Sequence, residues 1–205
     1  MAGEIAIQED ILPQQILQAA MQLYQKHGVK KVTMDDVSKA IGKSRTAIYY
    51  YYKNRDEIFD AVMDALISEV IGEISQAVNN AISIKDKIKT FCFTKVQTSI
   101  ARRSLFKAIE TGMDAEEISR HSQVMTELHK RLMRQETSLL KKVLSEGSKS
   151  GMVRELKPKE SGMLIFIILS GIRGVKREMS YDNDFSKLDY AASVLAEMAT
   201  KWLAS

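Results

Sequence analysis

Apolar residues return at intervals of three and four along nearly the whole chain, and no stretch keeps the two-residue alternation of a half-buried strand. Ile16, Leu17, Ala20, Leu23 and Tyr24 form one stripe behind Pro13, a residue suited to the start of a helix, and His27-Gly28 supplies a left-handed stop. Thr33-Met34-Asp35-Asp36 matches a capping box in its Ser/Thr-x-x-Asp/Glu form, with Val37, Ala40 and Ile41 as the short apolar face of the helix behind it. That helix stops at Gly42, and Ser44 caps another almost at once.

Longer helices follow. Phe59, Val62, Met63, Leu66, Val70, Ile71 and Ile74 predict one helix over 56–80, with Gly72 inside it as either a place to bend or a point of close packing. Ser83-x-x-Asp86 caps the next, which runs to about residue 103, and shorter helical pieces fill 104–118. A further helix over 121–150 ends at Gly147 and Gly151, Pro158 opens a helix over 158–178, and the last spans 184–204.

The expected fold is therefore all-α. The 205 residues are 45% hydrophobic and 27% charged with only 2 Pro and 10 Gly, which argues against disorder and against turn-dense β architectures. The most apolar run, 162–175, meets Arg173 well short of the roughly 20 apolar residues that span a bilayer, so no membrane partner is expected. The N-terminus carries acids where a signal peptide is basic, and Cys92, the single cysteine, allows no internal disulfide; a cytoplasmic location is the expectation.

Charge changes the picture only locally. Residues 1–25 contain no Lys or Arg, residues 26–55 hold eight basic groups against two acidic ones, and the remaining 150 residues are nearly balanced. The basic window coincides with two short helices joined by a Gly-containing turn, the helix-turn-helix arrangement. In the second of these, Ile48 and Tyr52 stand four apart and are expected to face inward, leaving Arg45, Thr46, Ala47, Tyr49 and Tyr50 on the other sides. Arg can bridge guanine O6 and N7, Thr and Ala can meet a thymine methyl, and Tyr hydroxyls can reach phosphates. Asn54 then caps a further helix with Glu57 three residues on, so Arg55 lies in a first turn whose N–H groups favour a phosphate.

From Ile16 to Phe59 the chain resembles the DNA-binding domain of the tetracycline-repressor (TetR) family of bacterial transcription regulators. The resemblance is carried by Ala19 to Tyr24, Gly28, Thr33, Asp36-Val37, Gly42, Ser44, Ile48-Tyr49, Tyr52 and the run from Asn54 to Ile58. It implies a three-helix DNA-binding domain at 1–57, a helical ligand-binding and dimerisation domain at 58–205, and no catalysis. It also implies Thr33 as a phosphate contact, Arg45, Thr46, Ala47 and Tyr49 in the groove, and Tyr50, Tyr51 and Arg55 on the DNA backbone, with Lys43, Ser44 and Lys53 flanking them. Lys43 departs from the small or apolar residue usual in the family, Tyr52 from the frequent Phe and Arg55 from the typical Lys. The family's occasional basic N-terminal arm is not expected here.

A looser resemblance, the Glu-Gly followed by Gly-apolar pattern at 146–153, implies that the last two helices form a four-helix dimer interface. Leu164, Ile168, Ile172 and Val175 stand for one helix and Leu188, Leu195, Met198 and Trp202 for the other. An effector pocket is likewise implied, its candidate lining being Phe91, Phe106, Met113, Met125, Met133 and Phe166. Partners are thus a double-stranded DNA operator, a second copy of the chain and an unidentified small molecule. No cofactor or metal is expected: Glu117 and His121, four apart, read as a helix-surface pair, and Cys92 as an inert core thiol. The competing reading is a helical interaction module that keeps the fold without binding DNA.

Overall fold

The computed structural model describes residues 2–111, 113 and 115–204; side chains of residues 2–10, 117 and 120 lie outside the description. Nine helices account for most of the described chain: α1 Ala2–His27, α2 Met34–Ala40, α3 Arg45–Tyr51, α4 Arg55–Asn79, α5 Ile84–Ala101, α6 Arg103–Ile109, α7 Ala115–Lys149, α8 Pro158–Tyr181 and α9 Leu188–Ala204. The fold is all-α, as the three-and-four periodicity requires.

Three helix starts differ from the sequence expectation, and α8 runs on to Tyr181 rather than 178. α1 starts at Ala2 and carries Pro13 in its interior, since the residues ahead of the proline are themselves helix formers and only one backbone donor is lost there. α7 starts at Ala115 rather than 121. α9 starts at Leu188 rather than 184: Asn183 adopts φ 50° and Asp184 Oδ1 accepts from the Ser186 N–H at 2.9 Å, a local side-chain turn that competes with helix formation. Gly72 is exposed and a Cβ there would meet nothing within 4 Å, so close packing is not its reason. Gly147, by contrast, lies within α7, where a Cβ would run into Ile84.

The chain forms two compact units. The first comprises residues 1–68 and 102–128, the second 69–101 and 129–205. In the first unit Ile16, Ala20 and Tyr24 of α1 close over Val37 of α2, Ile48 of α3 and Ile58 and Val62 of α4, all fully or nearly fully buried. Tyr24 meets Phe59 edge-on with ring centroids 5.8 Å apart, and Phe59 lies 6.0 Å from the His121 ring. α1 also packs on α6, and Gly28 is the point of closest approach: its φ of 76° suits glycine, and a Cβ would collide with the Thr111 carbonyl.

The second unit is built on α5, α8 and α9 with the C-terminal part of α7. Ala192, Ala196 and Ala199, one helical face of α9, are small enough for α5 to lie close, and Leu195 packs against Gly171 of α8. Ile88, Phe91, Cys92, Leu140, Leu169, Ile172 and Leu203 fill the core between them. Among the described residues no helix is long and apolar enough to cross a membrane, and no group of three His, Cys, Asp or Glu side chains could hold a metal ion.

Candidate nucleic-acid interface

α2 and α3 owe their position to their caps. Thr33 Oγ1 accepts from the Asp36 N–H at 3.2 Å while the Thr33 N–H donates to Asp36 Oδ2 at 2.9 Å, closing the reciprocal box that the sequence announces. The Thr33 hydroxyl also donates to Asp36 Oδ2, at 2.7 Å, and this bond, followed by the backbone one, holds the Asp36 carboxyl below its usual range. The only proton of Thr33 Oγ1 is thus committed within the cap in the free protein. After α2, Gly42 turns the chain with φ 64°, the Lys43 N–H returns to the Ser38 carbonyl at 3.0 Å, and Ser44 Oγ accepts from Ala47 at 3.3 Å to start α3.

Ile48 anchors α3: it is 0% exposed. The rest of the helix turns outward. Arg45, Thr46, Tyr49 and Tyr50 are exposed, Tyr50 at 79%, while Ala47 and Tyr51 are half-buried. The Tyr50 and Tyr51 rings meet edge-on at 4.9 Å. Tyr52, expected to face inward with Ile48, is the residue that ends α3 and is half-buried; partial burial raises its phenol above the ordinary range.

Arg45 is held in a definite place. Its Nη2 donates to Tyr49 Oη at 3.1 Å, its guanidinium carbon sits 5.4 Å from the Tyr49 ring centroid, and its Nε lies 3.2 Å from Asp35 Oδ1. Asp35 was missed from the sequence, because nothing in the spacing of residues 35 and 45 shows that the turn brings them together. The pair is well exposed and therefore weak, so Arg45 can leave it for a stronger partner at little cost.

Beyond α3, Asn54 Oδ1 accepts from the Glu57 N–H at 2.9 Å, and Glu57 Oε2 accepts from the N–H of Lys53, the residue before that cap, at 2.7 Å. Arg55 Nη1 donates to the Lys30 carbonyl at 3.0 Å, tying the start of α4 to the α1–α2 connection. Lys43, Ser44, Lys53 and Arg55 are all exposed. The first unit therefore brings the sequence-derived DNA-contact residues onto α3 and the ends of its two neighbours, with Asp35 as the carboxylate that pairs with Arg45.

The other candidates divide differently. Leu164, Ile168, Ile172 and Leu188 are buried in the single chain and Val175 and Leu195 are half-buried, with Leu164, Ile168 and Leu195 lining a groove between α8 and α9. Met198 and Trp202 are exposed, and with them Val194 of α9 and Met163, Phe166 and Ile167, which the continuous apolar run of α8 leaves without a visible phase. Met163, Ile167, Met198 and Trp202 border that groove, which has a volume of about 680 Å³, and Arg154 stacks over Trp202 at 4.7 Å. Of the candidate effector lining, Phe91 is in the second unit's core, Met133 is half-buried and Phe166 is 57% exposed; half-buried Phe106, Met113 and Met125 belong to the first unit. His121 is buried 3.5 Å from Glu110 Oε1, with burial pushing its imidazole down and Glu110 opposing, while the side chain of Glu117 lies outside the described residues.

Comparison with known proteins agrees with this geometry. The family described as bacterial regulatory proteins, tetR family, matches residues 16–62. The HTH-type transcriptional regulator AcrR of Shigella flexneri is 33% identical over 49 residues, covering 24% of this chain and 23% of that protein. The chain thus spans about a quarter of the length of the curated relative it matches there. Two solved structures share the fold over nearly the whole chain. The fatty acid degradation regulator FadR of Bacillus halodurans superposes with a TM-score of 0.56 at 20% identity, covering 94% of each chain. SmeT in complex with triclosan superposes with a TM-score of 0.59 at 18% identity, covering 94% of this chain and 91% of the other.

Proposed function

From a chain that belongs to the tetR family of bacterial regulatory proteins, we propose a homodimeric transcriptional repressor that reads a palindromic operator and releases it on binding a small molecule. Residues 1–57 act as the DNA-reading domain and 58–205 as the effector-binding and dimerising one. No step of this activity calls for catalysis.

The observation that carries the reading is the outward side of α3. A seven-residue helix, anchored by one buried isoleucine, presents Arg45, Thr46, Tyr49 and Tyr50 within a strongly basic segment. Arg45 exchanges Asp35 and Tyr49 for a guanine edge, Thr46 and Ala47 meet base edges, and Tyr50, Tyr51, Lys43, Lys53 and Arg55 take phosphates. Thr33 joins them by redirecting its hydroxyl proton from Asp36 to a phosphate oxygen. One such helix makes few base contacts, whereas two related by a twofold read half-sites about one helical turn apart.

The exposed apolar side chains of α8 and α9 support the twofold: Met163, Phe166, Ile167, Val194, Met198 and Trp202 stand in water on the helices that the resemblance assigns to dimerisation. The effector reading is supported by the triclosan complex of SmeT, a protein of the same fold. Effector and operator then oppose one another through reciprocal linkage.

Selection of bound sequences from random duplex DNA by the full chain, at low ionic strength, tests the proposal. The expected product is one inverted repeat, bound with an affinity that falls steeply with salt. Enrichment of no sequence, or of an asymmetric site, overturns it; retention of no duplex at all favours an interaction module.

A further inference from the structure

α2 opens with two carboxylates in succession, and its cap uses one of them. Asp36 accepts from the Thr33 N–H and the Thr33 hydroxyl, and its own N–H donates to Thr33 Oγ1. The Asp35 side chain takes no part in that cap. Its backbone carbonyl accepts from Ser38 Oγ at 2.9 Å, while its half-exposed carboxylate meets Arg45 Nε at 3.2 Å. Among the described residues Arg45 is the one ion-pair partner of Asp35.

A carboxylate in this place works against the binding of a polyanion. Residues 26–55 hold eight basic groups and two acids, Asp35 and Asp36, and phosphates drawn by the cations repel an acid standing among them. An acid in the first turn of α2 suits the helix dipole, but Asp36 already supplies one. What sets Asp35 apart is its neighbour, the guanidinium that the proposed function sends to a guanine edge. Once Arg45 has moved there, the carboxylate stands beside the base edges with no cation of its own, and as an acceptor-only group it calls for donors. In the major groove cytosine N4 and adenine N6 are amino donors, whereas guanine O6 and thymine O4 are acceptors. The Asp35 oxygen lies on the Nε side of Arg45, off the end of the guanidinium fork, so it falls beside the base pair that the fork takes rather than onto it.

Resting on the reading of α3 as the DNA-reading helix, we propose that Asp35 is a second specificity-determining residue of that interface. Its carboxylate accepts from the exocyclic amino group of cytosine or adenine at the base pair next to the one Arg45 reads, and it repels the oxygens that guanine and thymine present in the same position. The charge lowers affinity for DNA in general and raises discrimination among sequences, a repulsive element that acts against the wrong partner.

Selection from random duplex DNA, run in parallel with the full-length parent, Asp35→Asn and Asp35→Ala, tests the assignment. The parent should enrich cytosine or adenine at one position of each half-site, adjacent to the position that Arg45→Ala relaxes. Both Asp35 variants should enrich the same inverted repeat with that one position open to guanine and thymine. In direct competition the parent's preference for the amino-bearing bases, about 5- to 150-fold, should fall to about twofold or less. Asparagine adds a donor to its acceptor and alanine offers neither, so the loss of preference is common to both. A purely structural part in α2 predicts instead a lower Tm with base choice unchanged. The preference is a ratio read on one protein sample, so a partly unfolded variant still reports it. Unchanged base choice in both variants, relaxation spread over the whole repeat, or guanine or thymine enriched by the parent at that position overturns the role of Asp35 and leaves the DNA-reading assignment standing. A parent chain that enriches no sequence overturns both.

Discussion

Ile48 and Tyr50 lie two positions apart on one seven-residue helix and do opposite things, so replacing each by alanine separates fold from function. Ile48→Ala removes three carbons from a side chain with no exposed surface. At about 0.8 kcal/mol for each buried carbon the transfer loss is about 2.4 kcal/mol, and the cavity left behind brings the expected cost to about 3 to 4 kcal/mol. That is a large part of the roughly 5 to 15 kcal/mol that stabilises a domain of ordinary size. Tyr50→Ala removes a ring that is 79% exposed and meets its neighbour Tyr51 edge-on, so its stability cost should stay within about 0.5 kcal/mol, while operator binding weakens. Urea unfolding followed by far-ultraviolet circular dichroism reads the first quantity, and fluorescence anisotropy of a labelled operator the second. The assignment of the two faces of α3 is refuted if Ile48→Ala costs less than about 1 kcal/mol, or if Tyr50→Ala binds the operator as tightly as the parent chain.

Other substitutions probe the remaining joints. Arg45→Ala should weaken the selected operator by about 5- to 150-fold and relax base choice at one position of each half-site, whereas Asp35→Asn, which frees Arg45 from its partner, should leave binding unchanged or tighten it up to about fivefold; competition between operator and scrambled duplex measures both. Met198→Glu places a charge in the exposed strip between α8 and α9 and should turn the proposed dimer into a monomer with its helicity intact, seen by light scattering after gel filtration. Burial pushes the Cys92 thiol up to about 12, so no thiolate forms at pH 8 and a disulfide reagent should leave the native chain untouched until urea unfolds it. Lowering the pH through the depressed range of Asp36 should remove the stability of the α2 cap. Because the folded carboxyl titrates below the unfolded one, that contribution is complete above the ordinary carboxylate pKa and disappears only in strong acid; Asp36→Asn should abolish the acid-dependent part of the melting curve attributable to this cap.

Much of the DNA-reading unit was legible along the chain because its signals are local. A capping box, a glycine at positive φ and a serine cap each involve residues within four positions of one another, and each forms as the order of residues implies. The period of apolar residues likewise determined that every element is a helix, and that Ile48 points inward.

What depends on distant contacts was decided only by the tertiary structure. In α8 the run Met163 to Leu169 is apolar on every side, so periodicity cannot tell inside from outside; packing against α5 and α9 buries Leu164, Ile168 and Ile172 and leaves Met163, Phe166 and Ile167 in water. Asp35 acquires its role beside Arg45 from the turn between α2 and α3. Glu136 and Lys95, which look like ordinary surface charges in sequence, meet only because α7 and α5 bring them together. Hydrophobic period and capping act over one or two turns of backbone, whereas which face is buried, and which charges lose their water, is set by neighbours far away in the chain.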